Sequence, residues 1–149
     1  MGKTFSSLKE LEKFLESSIT KVLKENVGYK VVEVMQDNIQ NVVYNSYSPT
    51  EYERREHNGG LIDSNNIEVT PVGGDTIVVE NITPPNLTYK HDRLQGDRID
   101  YAVESGRDYD FFSPGSRPFI ESTRDDLKKN GQHVEAMKKG LLDLNLNVE

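Results

Sequence analysis

Cysteine is absent from the sequence. That excludes disulfide frameworks, thiolate zinc sites and thiol nucleophiles together, and it suits a cytoplasmic protein. Long apolar runs are missing too. The longest are a few residues, too short for a membrane span or the apolar region of a secretory signal. Histidine is sparse: His57, His91 and His133 lie in different segments with neither His-x-x-x-His nor His-x-Glu spacing, so no metal site is expected. No Gly-x-Ser-x-Gly elbow is present. Gly59-Gly60 and Gly73-Gly74 do not extend to a dinucleotide-binding fingerprint and fit turns better. Gly2-Lys3-Thr4 copies the end of a P-loop without the strand and glycine that precede one. No catalytic residue, metal or cofactor is therefore expected, and an enzyme is disfavoured by the absence of its parts.

Positive charge is in short supply. With 25 acids against 18 Lys and Arg, the formal charge is -7, and the surface should repel a phosphate backbone. Sequence-specific nucleic-acid binding is not expected. Apolar residues are also few: the hydrophobic fraction of 34% rises to about 41% when the 11 glycines are added, below the roughly 45–50% usual in soluble domains. Part of the chain is expected to be loop, or to order against a partner. The 149 residues suit a single domain spanning 1–149. A myristoylation spelling at Gly2 and glycosylation sequons at Asn81 and Asn86 are short patterns that carry no weight without their targeting context.

The hydrophobic pattern predicts an α+β fold with N-terminal helices, a central β-hairpin or small antiparallel sheet, and a C-terminal helix. Ser7 and Glu10 spell a capping box, and Leu8, Leu11, Leu15, Ile19, Val22 and Leu23 follow at helical spacing, predicting a helix from about Ser7 to Glu25. After Gly28 the spacing of Val32, Met35, Ile39 and Val42 favours a second helix, or a kinked continuation, to about Asn45. The β-branched pairs Val31-Val32 and Val42-Val43 keep a strand from Tyr29 in competition. Ile67 and Val69, a turn at Val72 to Asp75, then Ile77 and Val79 form the one clear hairpin signal. Asp97 to Gly106 reads as a short helix. Pro118 introduces a C-terminal helix that Gly131 weakens and can break. The alternating tail of Leu142, Leu144, Leu146 and Val148 reads as an edge strand or an arm for a neighbouring subunit. Long interaction loops are expected near 47–60 and 84–98, because structureless connections of that length in small domains are usually functional or disordered.

Asp100 and Glu104 would share one side of a helix, which with His91 sketches a small hydrolase, although such pairs are expected by coincidence among 25 acids. The aromatics say more. Tyr44, Tyr47 and Tyr52 flank the first loop, and Tyr109, Phe111, Phe112 and Phe119 flank the later one. One reading is that they pin the loops to the core. The other makes them interface anchors, and Arg54, Arg55, Arg107 and Arg117 in the same regions tilt the balance that way. The candidate protein-interface residues are Tyr47, Tyr52, Arg54, Arg55, Tyr109, Phe111, Phe112 and Arg117.

The ordered segments Gly59-Gly60-Leu61-Ile62-Asp63 running on to Ile67, Tyr101-Ala102-Val103-Glu104-Ser105-Gly106, and Arg117-Pro118-Phe119-Ile120 are similar to motifs of the tail-component, or head-tail joining (tail-completion), proteins of long-tailed bacteriophages and prophages. The matches span roughly Tyr47 to Leu127. The sequence departs from that pattern in a long Pro84 to Gly96 insertion, an extended Tyr47 to Asn58 loop, and a missing spacer after Ala102. The resemblance implies a virion structural subunit made in the bacterial host cytoplasm and placed in the neck or tail. It implies an oligomeric ring, with a hexamer favoured, between portal-side connector proteins and the tail tube. DNA would pass through the lumen, no membrane would be involved and no catalytic residues would be needed. A free-standing phage-encoded interaction module or inhibitor is the alternative.

Overall fold

A computed structural model describes residues 2–49, 53–84, 99–106 and 115–147. Its backbone is one long helical rod, 8–44, made of α1 (Leu8–Val22) and α2 (Tyr29–Asn38) joined and extended by π-helical turns at Leu23–Gly28 and Ile39–Tyr44. The competing strand from Tyr29 is therefore overturned: Val32, Met35, Ile39 and Val43 recur at helical spacing and all face the core. The rod begins as a displaced capping box. Ser7 Oγ accepts from the Glu10 amide at 3.3 Å, while the Glu10 carboxylate reaches past Ser7 to the amide and hydroxyl of Ser6 at 2.8 and 2.7 Å. Those two hydrogen bonds from Ser6 hold the Glu10 carboxyl below its ordinary value.

Strands β1 (Ile67–Val72) and β2 (Thr76–Asn81) pair antiparallel, with Ile67 opposite Asn81 and Val72 opposite Thr76. The alternation read from the sequence decides the inward face: Ile67, Val69, Ile77 and Val79 turn toward the rod, while Glu68, Thr70, Val78 and Glu80 face out. The hairpin lies along the rod. Near its tip the Thr20 hydroxyl donates to the Gly74 carbonyl at 3.0 Å, and Val69 packs where Gly28 leaves room.

Helices α4 (Phe119–Asn130) and α5 (Gln132–Asp143) cover another flank of the rod. The break at Gly131 is real: this residue takes φ 63°, a left-handed conformation that favours glycine, and it ends α4 while starting α5. Asn38 Nδ2 ties the rod to α4 by donating to Asp126 Oδ2 at 2.9 Å. The short helix α3 (Ile99–Ser105) lies within the span expected for it, and residues 97–98 are outside the described set. Up to residue 147 the alternating tail forms no strand, and Val148 lies outside the described residues. Leu142 belongs to α5, and Asn145 turns back at φ 60° so that the Leu146 amide donates to the Leu141 carbonyl at 2.9 Å. The need to satisfy the last helical carbonyls outweighs a weak two-residue periodicity that has no strand to pair with.

One core joins these parts. Val32, Met35, Ile39, Val43 and Tyr44 from the rod meet Leu61, Ile62 and Ile67 from the loop and hairpin, Val103 from α3, and Phe119 from α4, which is fully buried. The architecture is thus α+β.

Gly28 is the tightest helix–hairpin contact. A Cβ there would lie 2.5 Å from Val69 Cγ1, and a β-branched side chain in a strand has little rotamer freedom to give way. Gly28→Ala gains about 1 kcal/mol of intrinsic helix propensity but must overpack the contact, which typically costs about 1–3 kcal/mol. Gly28→Ala is expected to lower the urea unfolding midpoint in the natural background and to raise it in a Val69→Ala background. Equal effects in both backgrounds would disprove the contact.

Candidate functional site

From Gly59 to Asp63 the chain is irregular yet largely buried, and a single 3-10 turn, Ser64–Asn66, leads on to β1, so the peptide groups of the buried part need partners other than water. Side chains supply them from both directions. Gln36 Nε2, from the rod, donates to the Ile62 carbonyl at 2.8 Å, and the Tyr44 hydroxyl accepts from the Ile62 amide at 3.4 Å. Asn81, from the end of β2, donates through Nδ2 to the Leu61 carbonyl at 2.8 Å. Its Oδ1 accepts from the amide and hydroxyl of Thr83 at 3.2 and 2.6 Å. Asn66 Nδ2 donates to the Gly60 carbonyl at 2.9 Å. Gly60 itself folds so closely over Glu56 that a Cβ would meet the Glu56 backbone at 2.5 Å.

Asp63 is the hub of this loop. Its carboxylate accepts from the Asn65 amide at 2.9 Å, the Gly59 amide at 2.7 Å and Asn65 Nδ2 at 3.0 Å. Hydrogen bonds from Asn65 and Gly59, in that order, hold its carboxyl below the ordinary aspartate value. Tyr44 behaves oppositely: burial pushes its phenol above the ordinary value, so it stays a neutral hydroxyl at any physiological pH.

Beside this loop, three predicted interface residues come together. Arg54 donates to the carbonyls of Tyr44, at 2.9 Å, and Tyr47, and its guanidinium carbon lies over both rings at 4.8 and 5.1 Å. Arg117, from the segment leading into α4, faces the same Tyr47 ring at 5.6 Å. Tyr47 thus makes cation–π contacts with two guanidinium groups. Arg55 lies apart from this cluster and donates to the Pro84 carbonyl at 2.9 Å, tying the first loop to the end of the hairpin. Tyr52, Tyr109, Phe111 and Phe112 lie outside the described residues, as do His91 and nearly all of the 84–98 loop.

Of the two carboxylates in the hydrolase sketch, Glu104 has a defined structural task. Helix α4 has no side-chain cap of its own at Pro118. Glu104, from α3, fills the gap: its Oε2 accepts from the Ile120 amide at 2.8 Å and its Oε1 from the Glu121 amide at 3.0 Å. Its backbone carbonyl accepts from Ser116 Oγ at 2.6 Å. A carboxylate at a helix N-terminus satisfies orphan amides and complements the helix dipole, and that structural task occupies Glu104. Asp100 is almost completely buried. Among the described residues no group of three or more His, Asp or Glu side chains is placed to hold a metal ion.

Sequence reasoning passed over Gln36, Asp63, Asn81 and Thr83. Asp63 had a visible signal, since Asp-x-Asn after a Gly-Gly pair spells an Asx turn. Asn81 had none: its letters read as a glycosylation sequon, and only the fold shows its side chain buried and fully used by the chain itself.

These features define a small α+β scaffold whose polar side chains brace irregular backbone, with a guanidinium–tyrosine cluster set into its side. Among known families, the chain belongs to the YomN family, which matches residues 7–143. That family name is associated with phages and prophages. No curated protein and no solved structure matches the chain.

Two outcomes follow. Glu104→Ala should destabilise the fold by about 1–2 kcal/mol, the range for a lost helix cap, with Glu104→Gln retaining part of the stability; chemical denaturation reads both. Asp63, with its folded pKa depressed, contributes stability above the ordinary aspartate pKa of about 4, and that contribution disappears as pH falls through the lower folded value. Asp63→Asn should therefore unfold at lower urea than the natural protein at pH 7, with the gap narrowing below about pH 4. Identical midpoints at pH 7 would show that the carboxylate does not hold the loop.

Proposed function

We propose that this protein is a structural subunit of a phage or phage-derived particle, acting in the head-tail connector or tail-completion ring that joins the portal-side neck to the tail tube. The observation that carries the reading is membership of a phage-associated family across nearly the whole chain, together with the ordered likeness of Gly59–Ile67, Tyr101–Gly106 and Arg117–Ile120 to tail-completion proteins. The role is assembly and not catalysis. Supporting it, Glu104 is committed to capping α4, and the polar network around Asp63 and Asn81 is committed to the chain's own backbone.

In this role the protein works as a homo-oligomeric ring in the virion neck or tail, with a hexamer favoured, and needs no cofactor. Its acidity then has a use. Each subunit brings a formal charge of -7, and acids facing the lumen would let DNA slide past without sticking. The portal-side connector and the tail tube are its neighbours, and the residues around Tyr47 and the 84–98 loop are the contact regions.

The first loop is not a simple appendage, since Arg54 holds the Tyr44 and Tyr47 carbonyls.

Mass in solution across a concentration series, with negative-stain images, tests the proposal. Discrete rings, alone or on adding the co-expressed neck and tube proteins, are expected. A monomer that joins neither itself nor those proteins would replace the proposal with a free-standing interaction module or inhibitor.

A further inference from the structure

Arg117 is buried in an unusual way. The residue is 9% exposed; its Nε is sealed from solvent and has no hydrogen-bond partner. Among the described residues its guanidinium makes no ion pair and no hydrogen bond; what it has is the Tyr47 ring at 5.6 Å. The main chain around it is fully engaged. The Arg117 amide donates to the Val103 carbonyl at 3.0 Å, and its carbonyl accepts from the Phe119 amide at 2.9 Å. The backbone therefore holds this residue in place between α3 and α4.

An arginine cannot escape burial by losing its proton. A buried charge without a counter-charge is among the costliest features a fold can carry, and one ring face compensates it only in part. Arg54, next to it, shows the contrast: its donors are spent on two carbonyls and its plane on two rings. Arg54 fixes Tyr47, Tyr47 faces Arg117, and Arg117 is left with donor capacity arranged for the planar, two-oxygen acceptor that guanidinium groups match best, a carboxylate.

We infer that Arg117 is the receptor for a carboxylate side chain contributed by a second copy of this chain, received beside Tyr47 at the subunit contact. The inference rests on the ring assembly proposed above and names the chemistry of its contact. A second copy is the favoured source because the chain holds 25 acids against 18 Lys and Arg. Copies with that balance repel one another unless particular carboxylates meet particular cations, and a desolvated arginine is where such a meeting is strongest. A nucleic-acid phosphate is disfavoured by the same net charge.

The test compares the full-length natural protein with Arg117→Met and Arg117→Lys, reading self-association by sedimentation and folding by thermal unfolding. Arg117→Met keeps the length of the stem and removes the charge. It should weaken self-association by at least ~30-fold, the low end for loss of one partner of a buried charge pair, while its Tm stays level or rises because the unpaired charge has gone. Arg117→Lys keeps the charge without the fork and should fall between the two.

If the natural protein associates and both variants associate equally well, the inference is overturned and the ring proposal stands. Should Arg117→Met fail to fold, Arg117→Lys decides: association equal to that of the natural protein overturns the inference. A Tm that falls in Arg117→Met with association unchanged assigns Arg117 to the fold and also overturns it. A natural protein that stays monomeric alone and with its neighbours removes the ring proposal, and this inference with it.

Discussion

The hydrogen bonding of one stretch of backbone, Gly59 to Asn66, irregular and largely buried as far as Asp63, underlies the rest of the structure. This stretch fills the space between the long helical rod and the hairpin, and it contributes Leu61 and Ile62 to the core. Burying those apolar side chains brings their peptide groups out of water as well, and an unsatisfied buried peptide group costs about as much as a well-buried methylene group or two gains. Gln36 and Tyr44 from the rod, Asp63 and Asn66 from the stretch itself, and Asn81 from the hairpin remove that cost. Because these five side chains come from the rod, the stretch and the hairpin, the network also sets where those parts stand. The hairpin cannot slide along the rod without taking Asn81 away from Leu61.

The same economy places the two arginines. Arg54 reaches back from the end of the first loop to cap carbonyls at the end of the rod, and its plane covers Tyr44 and Tyr47. Arg117 comes from the residues just before α4, whose first amides Glu104 caps. A capping carboxylate and a buried guanidinium therefore sit together at the start of α4.

Membership of the YomN family and the tail-completion likeness direct the functional reading toward assembly, and the structure gives that reading a physical form. The chain is acidic, its polar side chains largely serve its own backbone, and the described residue with the clearest unmet demand is a cation. In the proposed ring, where copies would meet despite a charge of -7 each, a protected cation would make one contact specific while the remaining surface stays repulsive.

Much of the architecture was legible in the residues. Helical spacing of Leu8 to Leu23 and of Val32 to Val42, period-two alternation about the Val72–Asp75 turn, and the stop at Gly131 each depend on neighbours within a few positions, and local periodicity records which face is buried. Of the two readings of the alternating leucines, the edge strand does not form, because a period of two specifies a strand only when another strand is there to pair with it. Tyr47, Arg54 and Arg117 were picked out by residue type as interface candidates, but their meeting around one ring was not visible, since 70 positions of chain separate the first from the last. Asn81 spelled a sequon that carried no weight, Asp63 figured only in the likeness to tail-completion proteins, and Glu104 was half of a carboxylate pair set aside as coincidence. Their actual partners are the backbone of Leu61, of Gly59 and Asn65, and of α4. A peptide amide looks the same in every sequence, so which side chain meets it is decided by tertiary packing alone. Composition, by contrast, is a property of the letters themselves, and the acidity, the lack of cysteine and the modest apolar content were settled by the sequence alone.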